Sequence, residues 1–72
     1  MIICGDTVKV KHDRPNVDPA YYGKRGRIHK RTRILGALGA GQYEIMFFER
    51  ELNHPIVGVM GGFNEDDLEV ER

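Results

Sequence analysis

At 72 residues the chain has room for one domain, residues 1–72, and a thin core; a fold of this size buries only about 60% of its unfolded surface, which argues against a deep catalytic cleft. Hydrophobic residues at 40% and charged residues at 31% exclude a disordered chain, and nine glycines favour a turn-rich β protein over a helical bundle. A formal net charge of zero gives the whole molecule no bias toward polyanions.

Gly5-Asp6 supplies turn chemistry ahead of the first predicted strand, Thr7 to Lys11. There Val8 and Val10 point one way and Thr7, Lys9 and Lys11 the other, the period of a half-buried strand. From His12 to Gly23 the alternation stops, and Pro15 and Pro19 among Asp13, Asn16 and Asp18 mark a loop. It is long for a small domain, and long loops tend to carry function. The second strand is expected from Arg25 to Ile34, with Gly23 and Gly26 pointing to a bend or bulge at its start. Its alternation sets Arg25, Arg27, His29, Arg31 and Arg33 on one face, opposite Ile28, Lys30, Thr32 and Ile34.

Leu35 to Gly41 reads as a hairpin connection, unusually apolar for one. The third strand, Tyr43 to Glu49, places Tyr43, Ile45 and Phe47 on one face and Met46 and Phe48 on the other. Asn53-His54-Pro55 forms a turn, Ile56 to Met60 a fourth strand, and Gly61-Gly62 ends it. Asn64 to Asp67 is one helical turn capped by Asn64, and Leu68 with Val70 begins the last strand. Five short strands with one such turn is the layout of a small all-β barrel, whose closure would remove exposed sheet edges.

Six of the eleven basic residues fall between Lys24 and Arg33, and five of the eleven acids between Glu65 and Glu71. Same-face residues on a strand lie roughly 6.6 Å apart. Arg25, Arg27, Arg31 and Arg33 would then form a ladder able to track phosphates, with Tyr21 and Tyr22 able to stack on bases. The competing reading is a solvated face neutralised by Glu44 or by the acids at 65–71. A second candidate is apolar: Ile34, Leu35 and Leu38 of the connection, together with Met46 and Phe48, would make a contact patch for another protein. The connection can equally cap the end of the barrel.

No catalytic constellation and no cofactor motif stands out. His12, His29 and His54 are widely spaced and unpaired with Cys4, so no metal site is expected. Gly36, Gly39 and Gly41 lack the lysine and hydroxyl residue of a phosphate loop. One cysteine excludes an internal disulfide and fits a reducing, cytoplasmic setting, and no signal peptide or membrane span is expected.

Gly5-Asp6-Thr7-Val8-Lys9-Val10 followed by Tyr22-Gly23-Lys24-Arg25-Gly26-Arg27-Ile28 is similar to the opening of many SH3-like barrels. Tyr43 to Leu52, with Phe63 and Leu68-Glu69-Val70, resembles the barrel domain of the nitrile hydratase β subunit, in the superfamily of electron transport accessory proteins. The resemblance implies a five-stranded SH3-like barrel that docks on or stabilises a protein partner. In nitrile hydratase the metal sits on the partner chain, in a cysteine cluster absent from this sequence, and nothing in these 72 residues resembles the helical amino-terminal part of the β subunit. The same glycine pattern is similar to KOW-type modules, which implies RNA as the alternative partner. The expectation is a non-enzymatic binding module, with a protein partner first and RNA second.

Overall fold

The computed structural model describes residues 2–33 and 41–71. Five strands form one antiparallel sheet: β1 (Thr7–Val10), β2 (Arg25–Arg33), β3 (Gly41–Phe47), β4 (Met60–Asn64) and β5 (Leu68–Glu71). Their order across the sheet is β4-β3-β2-β1-β5. Three single 3-10 turns accompany them, at Pro19–Tyr21, Arg50–Leu52 and Glu65–Asp67. The class is all-β as expected, with the short turn directly before the last strand. No helix among the described residues is long and apolar enough to cross a membrane.

Each strand sends alternate residues inward. Val8 and Val10 from β1, Ile28 from β2, Tyr43, Ile45 and Phe47 from β3, Phe63 from β4 and Leu68 from β5 build the core, closed at its margins by Ile2 and Val17. Register keeps these residues on one face, because directly opposed residues of an antiparallel pair share a side. Val8 lies opposite Gly26 and Val70, and Gly26 lies opposite Phe47. Gly26 has no room for a side chain: a Cβ there would stand 2.6 Å from Ile45 Cγ2 and 2.6 Å from the Met46 carbonyl.

The outer strands β4 and β5 are joined through the turn at Glu65–Asp67, and no ladder links them among the described residues. The barrel is therefore shut by a turn and side chains rather than by a closed hydrogen-bond ring. Asp67 is the tie. Its buried carboxylate accepts from Arg14 Nε at 2.8 Å and from the Asn64 backbone N–H at 3.1 Å. Its carbonyl accepts the Lys11 N–H at 2.8 Å. The loop after β1 is thereby fastened to the turn before β5, and Val17 and Tyr21 of that loop pack on the core.

One strand is misplaced by sequence reading. Ile56 to Met60 does not form a strand; residues 55–57 are a turn, and β4 runs through both glycines to Asn64. Tyr43 pairs with Phe63 and Ile45 with Met60, so β4 spends three residues where β3 spends two. Gly62, at φ +91°, takes up the bulge in a conformation that other residues resist. β3 also stops at Phe47, two residues short of the expectation. The connection expected at Leu35 to Gly41, with Ile34, Leu35 and Leu38, lies outside the described residues save for Gly41 itself.

Gly26→Ala should cost about 2–3 kcal/mol through overpacking between β2 and β3. Urea unfolding followed by tyrosine fluorescence checks this; an unchanged midpoint would mean the strands separate easily at that point.

Candidate functional site

The phase of β3 decides what the surface presents. With Tyr43, Ile45 and Phe47 inward, Met46 and Phe48 face out, 44% and 55% exposed. Arg27 stands opposite Met46, and the Phe48 N–H donates to the Arg25 carbonyl at 3.1 Å. On β1, Thr7 and Lys9 oppose Arg27 and Arg25. On β5, Glu71 and Glu69 oppose Thr7 and Lys9. The outer face thus runs from apolar on β3, through basic on β2, to acidic on β5.

That order neutralises part of the arginine ladder. Arg25 grips Glu71 with two nitrogens, Nε to Oε1 at 2.8 Å and Nη2 to Oε2 at 3.0 Å. Lys24 meets Glu49 at 2.9 Å, and Arg14 meets Asp67. The ladder is also broken in phase. Ile28 pairs with Ile45 but Lys30 pairs with Glu44, so His29 is the extra residue of a bulge. Beyond it Lys30 takes the outward phase, and Arg31 shifts opposite Tyr43. Arg25, Arg27, His29 and Arg31 therefore do not form the expected single face. Arg33 closes β2 opposite Gly41.

Arg31 instead holds its guanidinium 5.8 Å from the centre of the Tyr43 ring. The Tyr43 hydroxyl donates to Glu65 at 3.2 Å. Burial pushes the Tyr43 phenol above its ordinary value of 10.0; Arg31 opposes the shift and Glu65 adds to it. The two neighbouring tyrosines are occupied within the molecule. Tyr21 stacks on Phe47 at 5.2 Å and meets the edge of Phe63 at 5.5 Å. Tyr22 donates its hydroxyl to the Arg14 carbonyl at 2.9 Å and tilts against His12.

Beside Met46 lies an open groove of about 440 Å³, lined by Met46, Phe47, Arg50, Asn53, His54, Pro55 and Gly58. Asn53 shapes it. β4 stops pairing at Ile45, leaving Phe47 with no strand on that side. Asn53 takes the missing strand's place: its Oδ1 accepts the Phe47 N–H at 2.8 Å and its Nδ2 donates to the Phe47 carbonyl at 2.9 Å. The far wall is a tight turn. Gly58 N–H donates to the His54 carbonyl at 2.9 Å, and the Ile56 N–H donates to His54 Nδ1 at 3.2 Å. This turn holds Ile56 and Val57 outward, 87% and 66% exposed.

Sequence reading finds Met46 and Phe48 but misses Arg50, Asn53, Ile56 and Val57. Ile56 to Met60 looks like a β-branched strand. The usable signal was the bracket of Pro55 and Gly58, too close together for a strand. Among the described residues no group of three or more His, Cys, Asp or Glu is placed to hold a metal ion. Comparison of the chain with protein-family models, with curated proteins and with solved structures finds no match.

Asn53→Ala leaves both Phe47 backbone groups without their partner, at a cost of about 2 kcal/mol. Asn53→Asp should recover little of this, because a carboxylate keeps the acceptor but turns an oxygen toward the Phe47 carbonyl. Thermal unfolding of the pair checks it; wild-type stability in Asn53→Ala would show that the fork contributes nothing.

Proposed function

We propose that this chain is a non-enzymatic binding module that docks another protein through the outer face of β3. Met46 and Phe48 are its anchors, and the Ile56–Val57 turn across the groove is its second wall. One observation carries the reading: Met46 and Phe48 stand exposed at the end of β3, and the turn that exposes Ile56 and Val57 contributes His54, Pro55 and Gly58 to the groove beside Met46. Clustered exposure of this kind marks contact surfaces more than chance. The resemblance to the nitrile hydratase β-subunit barrel points the same way, toward an SH3-like accessory or stabilising subunit. We place such a module in the cytoplasm, where exposed Cys4 stays reduced.

The nucleic-acid reading has less support. Arg25 is matched by Glu71, Arg31 has left the outer phase, and Tyr21 has one face against Phe47. A phosphate-tracking surface needs its cations unspent.

A photo-crosslinking benzoylphenylalanine in place of Phe48, in the native host, tests the choice. A discrete protein adduct is expected, and Met46→Asp should abolish it. An adduct removed by nuclease, or none at all, rejects the protein-docking reading.

A further inference from the structure

Two hollows among the described residues differ in charge. The one beside Phe48 is lined by Lys9, Lys24, Arg25 and Glu49, and two of its three cations are answered from within the fold, Lys24 by Glu49 and Arg25 by Glu71. The groove beside Met46 has no carboxylate in its lining. Arg50 lies on its rim and forms no ion pair among the described residues. Of its neighbours in sequence, Glu49 is taken by Lys24 and Glu51 is not part of the lining. Arg27, beside Met46 in register, is likewise without an ion pair among the described residues.

His54 adds a donor. Its Nδ1 accepts the Ile56 N–H, so in the neutral ring the proton sits on Nε2. The groove therefore offers an apolar side, Met46 and Pro55, next to a cation and an N–H donor. The backbone of Phe47 is already satisfied by Asn53, so an incoming chain cannot be held there as an added strand. Recognition has to come from side chains.

Resting on the docking reading above, we propose that the groove takes an extended segment of the partner protein in which a large apolar residue and a carboxylate are two positions apart. Side chains at that spacing project from one side of an extended chain, roughly 6.6 Å apart. The apolar one packs against Met46 and Pro55, and the carboxylate meets Arg50 and His54. An acidic partner is selected because the groove presents positive charge with nothing of its own to balance it.

The test titrates the ¹⁵N-labelled full chain with three acetylated, amidated pentapeptides: Ser-Leu-Ser-Glu-Ser, and the same peptide with Gln or Lys in place of Glu. The Glu peptide should shift the amides of Met46, Arg50, Asn53 and Gly58, bind at least about threefold more tightly than the Gln peptide, and lose that margin in about 0.5 M salt. Arg50→Glu, at an exposed site, should reverse the order in favour of Lys; Arg50→Gln should level it. Equal binding of all three peptides at these amides overturns the acidic preference and leaves the docking reading intact. No shift with any peptide overturns the groove proposal; the Phe48 crosslink then decides separately whether the docking face survives.

Discussion

Phe47 is held by four neighbours, and the outward placing of Met46 and Phe48 depends on that grip. Across the sheet it faces Gly26, where β2 comes too close for any side chain. On its open edge Asn53 binds both its backbone groups. Inside, its ring lies against Tyr21 and meets Phe63 edge-on at 5.7 Å. Aromatic contacts of this geometry add about 0.5–1.5 kcal/mol each beyond area burial. A one-residue slip of β3 would put Phe47 in water and Met46 in the core, so the fold resists it strongly.

From that fixed phase the rest of the surface follows. Met46 and Phe48 are outward because Phe47 is inward. Arg25 and Arg27 sit beside them because β2 is registered to β3, and Glu71 comes within reach of Arg25 because β1 carries the register on to β5. The groove exists because β4 leaves β3 early and residues 50–59 must return along its uncovered end. Asn53 makes that return orderly, and the His54 turn puts apolar residues at its tip. One constraint on backbone pairing thus sets both where the exposed apolar side chains lie and which charges surround them.

Much of this was legible from residue pattern, and the failures have physical causes. Strict alternation in Thr7 to Val10 and Tyr43 to Phe47 reports a half-buried strand directly, so core and outer residues separate cleanly there. Asn64 before three acids marks the closing turn for the same local reason. Alternation cannot report a bulge, because one extra residue leaves composition unchanged while reversing every later side chain. That is why the basic run from Arg25 to Arg33 read as one face. The displacement of β4 has a related origin: Gly62 carries no pattern, yet its positive φ lets a strand pass through it. Ile56 and Val57 look like strand residues, and only the way Gly58 and the His54 ring bind the backbone turns them out. The fork from Asn53 to Phe47 joins residues six apart through side-chain atoms, which no periodicity announces.

Native-state hydrogen exchange at the Phe47 amide probes this grip most directly. The N–H given to Asn53 should be protected to nearly the level of global unfolding in the wild-type protein, and Asn53→Ala should release it to exchange by local opening while Ile45 stays protected. A wild-type Phe47 amide that exchanges as fast as those of the exposed 55–57 turn would mean β3 ends loosely, and Met46 and Phe48 would then have no fixed face to present.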